Sequence, residues 1–239
     1  MKKIITEIYG ESGTGKTQFC MQMAVQSLIQ KYPEDKLGCI FIDTTTGISK
    51  ERLNQIYSSF SKIYTYFNDN FLKNICYNKI SNPESLMDFI IDLNSKNLKE
   101  NLIIIDTIID IFQCEAWNDE EIFKRCEFLS KFIKILKSII YNQDMACIIV
   151  NNITSKSNNT QEIDQEKWKE DHCLGLFWGN LINQSFRFWR KNSKSNNTIR
   201  RGFDIEYSNY LPSKTCYFQI LIDDIIADEN ENNNEKSID

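Results

Sequence analysis

The chain has 239 residues, 41 % of them apolar and 26 % charged, with a formal net charge of −5. That length suits one α/β domain with a sizeable core, and no apolar run approaches the ~20 residues of a membrane-spanning helix, so no membrane partner is expected. The charge is unevenly placed: residues 223–239 hold seven acids and one lysine, which marks them as an acidic, disordered tail to a nearly neutral core domain at 1–222. The start, Met1-Lys2-Lys3, passes at once into a strand pattern and leaves no room for a secretory signal. Eight scattered cysteines with no C-x-x-C pair read as buried, reduced thiols of an intracellular protein.

In chain order, the β-branched run at 4–9 predicts a strand, and residues 18–30 have helical periodicity. Between them lies G-E-S-G-T-G-K-T, residues 10–17. A motif of the form G-x-x-x-x-G-K-[ST] with a strand before it and a helix after it points to a nucleoside triphosphate bound with magnesium. Residues 37–43 read as a buried strand, 44–50 as a loop and 51–61 as a helix. A short strand is expected at 75–80. Asn82 and Pro83 then open a helix as cap and first-turn proline. Leu102 to Asp106 is an apolar strand ending in an acid, 120–141 a long amphipathic helix, and 147–150 another buried strand ending at Asn151-Asn152. Apolar strands alternating with helices predict a mostly parallel twisted sheet with helices on both faces. Ligands bind such sheets at the carboxyl ends of the strands, where Asp43, Asp106 and Asn152 fall beside the phosphate loop. After Gly202 the apolar positions alternate instead, predicting an antiparallel pair at the sheet edge around Leu211-Pro212.

Each position implies a chemistry. The loop Gly10, Glu11, Ser12, Gly13, Thr14, Gly15, Lys16, Thr17 and the following Gln18 form the nucleotide site. Backbone N–H groups and the helix N-terminus cradle phosphate, Lys16 reaches the β- and γ-phosphates, and Thr17 ligates Mg2+. Asp106 is placed to hold the same ion through water. An amide at Asn152 suits a γ-phosphate sensor or a plain strand-end cap. From Arg187 to Arg201 the chain carries six basic residues and no acid, with Phe188 and Trp189 interleaved. Arg187, Arg190, Lys191, Lys194, Arg200 and Arg201 therefore suit a nucleic-acid groove, or a solvated hairpin with its aromatics packed inward.

These blocks resemble a family. I-T-E-I-Y-G-E-S-G-T-G-K-T-Q (5–18), F-I-D-T-T-T-G-I-S-K-E-R-L (41–53) and L-I-I-I-D-T (102–107) resemble the ATPase core of the RecA-type eukaryotic recombinases. L-G-L-F-W-G-N (174–180) and Y-L-P-S-K-T-C-Y-F-Q-I (210–220) resemble the recombinase paralogues, the group of the X-ray-repair cross-complementing and yeast radiation-sensitivity proteins. The resemblance covers about residues 4–222. It implies a RecA-like P-loop ATPase core that binds ATP and Mg2+, partners among other paralogues or the main recombinase, single-stranded DNA as a ligand, a role in homologous recombination and double-strand-break repair, and a nuclear location.

Departures from the family pattern narrow the expectation. The family's water-activating glutamate matches Thr45. A threonine hydroxyl is no general base at neutral pH, and loss of such a base costs ~10²–10⁴-fold in rate. The family's γ-phosphate-sensing glutamine matches Asn152, one methylene shorter. Both changes imply binding with weak hydrolysis. The first DNA-facing loop, matching 113–121, has four acids and no base, and the second, matching 153–173, has three lysines against five acids. Trp168 in the latter suits base stacking or an anchoring contact, and His172 a solvated loop. The helical domain and linker strand that family members carry before the core have no match ahead of Ile4, and the segment before Leu211-Pro212 lacks the expected acid, so pairing with a different paralogue is expected over self-filament formation. The alternatives are an active DNA-dependent strand-exchange ATPase, a phosphotransferase using 187–201 as a basic lid beyond the last core strand, and a scaffold with an empty site.

Overall fold

A computed structural model describes residues 3–29, 38–45, 47–63, 71–112, 119–154, 171–172, 174–192, 199–221 and 225–227. In chain order these form β1 (Ile5–Gly10), α1 (Lys16–Gln26), β2 (Cys39–Asp43), α2 (Lys50–Ile63), β3 (Ile75–Lys79), α3 (Pro83–Ser95), β4 (Leu102–Asp106), α4 (Asp119–Gln143), β5 (Ala146–Asn151), β6 (Ile153–Thr154), β7 (Asp171–His172), α5 (Gly175–Gly179), β8 (Gln184–Asn192), β9 (Ile199–Ser208), β10 (Thr215–Ile220) and β11 (Ile225–Ala227). Nine strands make one sheet in the order β11-β10-β9-β8-β1-β5-β4-β2-β3. From β3 to β8 every pairing is parallel, and from β8 to β11 every pairing is antiparallel. The expected mixed sheet is present, and its central strands β2, β4 and β5 are buried on both faces.

These central strands are apolar along almost their whole length because each supplies two cores. Ile103 and Ile105 of β4 pack with α3, α4 and α5, whereas Leu102 and Ile104 pack with α1 and α2. A period of two distributes successive side chains to opposite faces, so a strand between two helical layers has no polar face to show. Asn82 caps α3 as expected, its Oδ1 accepting from Ser85 N–H at 2.8 Å. Cys20, Cys39 and Cys147 are fully buried free thiols, and burial drives each well above the usual thiol range. Cys114 and Cys173 lie outside the described residues.

Two features depart from the sequence reading. Residues 184–192 are not beyond the core sheet: β8 lies beside β1, with Ile8 opposite Phe186 and Gly10 opposite Phe188. Its arginines and lysine interrupt the apolar run by which a strand with both neighbours is recognised. Residues 225–227, assigned to the acidic tail, add the edge strand β11 against β10. Three small apolar residues are too short a run to stand out from the acids around them. Helix α1 begins two residues earlier than periodicity indicates, because its first turn is the end of the phosphate loop. Among the described residues no helix is long and apolar enough to cross a membrane.

Candidate nucleotide-binding site

Strand β1 leads into residues 10–17 and α1 leads out, so the loop is anchored in the core at both ends. Gly10, Gly13 and Gly15 have φ of 148°, 76° and 111°, a half of conformational space that side chains disfavour. Space demands glycine as well. A Cβ on Gly10 would lie 2.0 Å from the Phe188 carbonyl oxygen, and one on Gly15 would lie 2.9 Å from Ile220 Cδ1. The first-turn N–H groups of α1 have no partners within the helix, and they open onto this loop with the positive end of the helix dipole.

Lys16 is only 7 % exposed, and its Nζ donates to the carbonyls of Gly10 (2.6 Å) and Glu11 (2.8 Å). The Thr14 hydroxyl donates to the same Glu11 carbonyl at 2.9 Å. These bonds hold the ammonium at the loop. Thr17 Oγ1 donates to Asp106 Oδ2 at 2.7 Å, joining the start of α1 to the end of β4. Asp106 is 3 % exposed, and its carboxyl is pushed up to about 6. Burial is the main cause; the Asp43 and Asp110 carboxylates add to it, against the Thr17 hydrogen bond and the Lys16 charge. A hydroxyl and one carboxylate are hard oxygen donors that leave most of a coordination sphere to water and phosphate, which fits Mg2+. Among the described residues there is no cluster of three or more His, Cys, Asp or Glu that would instead make an all-protein metal cage.

An open cleft of about 1200 Å³ runs over the loop. Thr45 and Asn152 both line it, as expected from their positions at the ends of β2 and β5. Thr45 offers no base: its N–H and Oγ1 both donate to Asp43 Oδ1, at 2.8 and 2.9 Å, while Tyr77 donates to Asp43 Oδ2 at 2.6 Å. Asn152 is half-buried, and its backbone N–H donates to Asn151 Oδ1. Gln18 Oε1 accepts from Arg52 Nε at 2.6 Å, and the same guanidinium donates to Gln55 and to the Leu221 carbonyl. Arg52 thus ties α1, α2 and the end of β10 at one wall of the cleft. No sequence signal beyond its place in the 41–53 block marked it.

The basic stretch is divided by strand alternation. Arg190 and Arg201 face each other across the β8–β9 ladder on the side of Phe188 and Phe203. Arg201 lines the nucleotide cleft, and Arg190 Nη1 lies 2.9 Å from where a Cβ on Gly13 would stand. Arg187, Lys191 and Arg200 lie on the opposite side, around a smaller cleft of about 400 Å³ with Trp189 and Tyr217. There the two rings meet edge to face at 5.6 Å, and Lys191 Nζ stands 5.1 Å from the Trp189 ring centre. Phe188 packs inward at 1 % exposure, and Arg187, Lys191 and Arg200 stand with Trp189 and Tyr217 around the outer cleft. Lys194, the segments 113–118 and 155–170, and Trp168 lie outside the described residues; His172 forms a bridge to Ile153.

Behind the site, Glu7 on β1 is completely buried. Its Oε1 accepts from Asn151 Nδ2 (2.9 Å) and Trp178 Nε1 (2.8 Å), and its Oε2 from Ser185 Oγ (2.9 Å). Three donors from β5, α5 and β8 meet this carboxylate, which compensates its removal from water. Sequence periodicity gave no sign of the network, because its members are up to 178 residues apart.

Comparison with known proteins agrees with this geometry. A family model described as Rad51 matches residues 1–228. The chain is 26 % identical to a DNA repair protein XRCC3 homolog from Arabidopsis thaliana, over 93 % of this chain and 86 % of that protein. The fold resembles the crystal structure of the RadB recombinase with a TM-score of 0.68, at 19 % identity, covering 94 % of this chain and 90 % of that one.

Proposed function

The chain belongs to the Rad51 family, and on that premise we propose that it is an ATP-binding recombinase paralogue that assists homologous recombination and double-strand-break repair in the nucleus. It acts as a nucleotide-stabilised assembly or mediator subunit, with other recombinase paralogues or the main recombinase as partners, and it hydrolyses ATP weakly. The likeness to an XRCC3 homolog supports the repair role and the kind of partner. One observation carries the reading: a complete phosphate loop with the Thr17–Asp106 contact in place stands beside a Thr45 whose hydroxyl is spent on Asp43.

In this reading Lys16, now bonded to the Gly10 and Glu11 carbonyls, would bind phosphate oxygens, and Thr17 and Asp106 would hold Mg2+. The ion supplies charge neutralisation of the phosphates. Asn152, which lines the cleft at the end of β5, would be the γ-phosphate sensor. The Thr45 hydroxyl does not take a proton from water at neutral pH, so binding outlasts chemistry. The surface of Arg187, Lys191 and Arg200 with Trp189 and Tyr217 holds single-stranded DNA by phosphate contact and base stacking.

The test pairs equilibrium ATP binding with turnover, each with and without single-stranded DNA. The expected result is binding that Lys16→Ala removes, with slow turnover that DNA does not stimulate. Turnover as fast as that of an active strand-exchange recombinase, abolished by Lys16→Ala, would overturn the weak-hydrolysis reading.

A further inference from the structure

We infer that Arg190 and Arg201 form a cation pair, supplied by the same chain as the loop, that takes up phosphate oxygens of the bound nucleotide. This rests on the nucleotide-binding reading above and adds two residues to it, on strands β8 and β9 of the same sheet.

The placement follows from register. Gly10 ends β1 opposite Phe188, so Arg190, the next residue on the same side of β8, stands just past the strand end where the phosphate loop begins. Arg201 is its direct partner on β9. Beneath them Phe188 and Phe203 stack with centroids 5.3 Å apart, and Phe218 packs against both, fixing the height of the two strands over α1. The Arg190 guanidinium lies over Gly13, where any side chain would meet it. Arg201 lines the cleft with Lys16 and Thr17.

The electrostatics call for an anion. Like charges directly opposite in an antiparallel ladder are destabilising, and among the described residues neither arginine has an ion pair. Arg201 Nε is buried without a hydrogen-bond partner among the described residues, a state that costs free energy until an acceptor arrives. The nucleotide's phosphates are the anion this cleft is built for, and the guanidinium fork matches phosphate oxygens. The remaining charged groups around the cleft are Glu11, Arg52, Asp106, Asp110 and Arg125; Asp106 is on the metal side with Thr17.

The experiment measures Mg-ATP affinity by calorimetry on the full chain, for Lys16→Ala and for the double variant Arg190→Gln/Arg201→Gln, with thermal melting of each in the absence of nucleotide. Loss of two charge-assisted contacts predicts ATP affinity about 10- to 100-fold weaker in the double variant. Its nucleotide-free melting temperature is expected to be equal or higher, because the facing charges are gone. Single-stranded DNA affinity is expected to stay unchanged. If Lys16→Ala leaves ATP affinity intact, the nucleotide reading itself fails. If Lys16→Ala abolishes binding while the double variant stays within about twofold, this inference alone fails. A double variant that melts lower without nucleotide, or that loses DNA rather than ATP, assigns the arginines to structure or to nucleic acid and overturns it.

Discussion

At Asp106 a single buried carboxyl reports on the state of the site. Its native value of about 6 lies above the unfolded 3.8, so the folded protein binds this proton more tightly. The resulting stabilisation is complete below the unfolded value and is lost as pH rises through about 6, amounting to roughly 3 kcal/mol. The metal- and nucleotide-free protein should therefore melt at a higher temperature at pH 5 than at pH 7.5 relative to the Asp106→Asn variant, which removes the titration. Equal pH dependence of the two melting curves would refute this. Thr45 is the second decisive residue. Thr45→Glu places a carboxylate where the hydroxyl now meets Asp43; ATP turnover should rise by about 10²-fold or more, the usual contribution of a general base, while like-charge contact with Asp43 lowers the melting temperature. Unchanged turnover in a folded variant would show that more than the base is missing.

At the scale of elements, the junction of β1 with β8 holds the loop. Gly10 is the contact point, since its φ of 148° and the 2.0 Å approach to the Phe188 carbonyl exclude a side chain. Gly10→Ala should cost at least about 3 kcal/mol, through strain and strand separation together, and chemical denaturation measures it. Loss of less than about 1 kcal/mol would show that β8 moves aside freely. The Glu7 network holds the same junction from the opposite face. Trp178→Phe keeps an aromatic side chain but removes one donor from a buried carboxylate, a loss of about 1–3 kcal/mol, and the smaller ring adds a cavity cost at this fully buried position, so the melting temperature should fall by at least a few degrees for a chain of this size. A Glu7→Gln change in the same background should then cost less than it does alone, because the two groups are coupled.

Across the whole molecule, the sheet has two working surfaces that share one hairpin. The β8–β9 ladder places Arg190 over Gly13 of the phosphate loop and Arg201 in the cleft, with Arg187, Lys191 and Arg200 on the opposite side. Neutralising Arg187, Lys191 and Arg200 together should reduce the slope of log affinity for single-stranded DNA against log salt by about 2, given roughly 0.7 per phosphate contact, with Mg-ATP affinity unaffected. A salt slope unchanged by all three would remove this face from DNA binding.

The parallel half of the fold was legible in the chain because its signals are local. A strand buried on both faces is apolar at every position, an asparagine before a proline announces a helix, and the eight residues of a phosphate loop carry their own conformational demands. The same locality made Lys16, Thr17 and Asp106 recognisable. Arg52, Arg190, Arg201 and the Glu7–Trp178 contact were not, since each depends on which strand becomes whose neighbour. The β8–β1 pairing joins residues 178 positions apart, and no pattern within either segment encodes it. One basic stretch could thus be read as a single patch, whereas the period of two, combined with a register that only long-range pairing sets, sends its charges to opposite sides of the sheet.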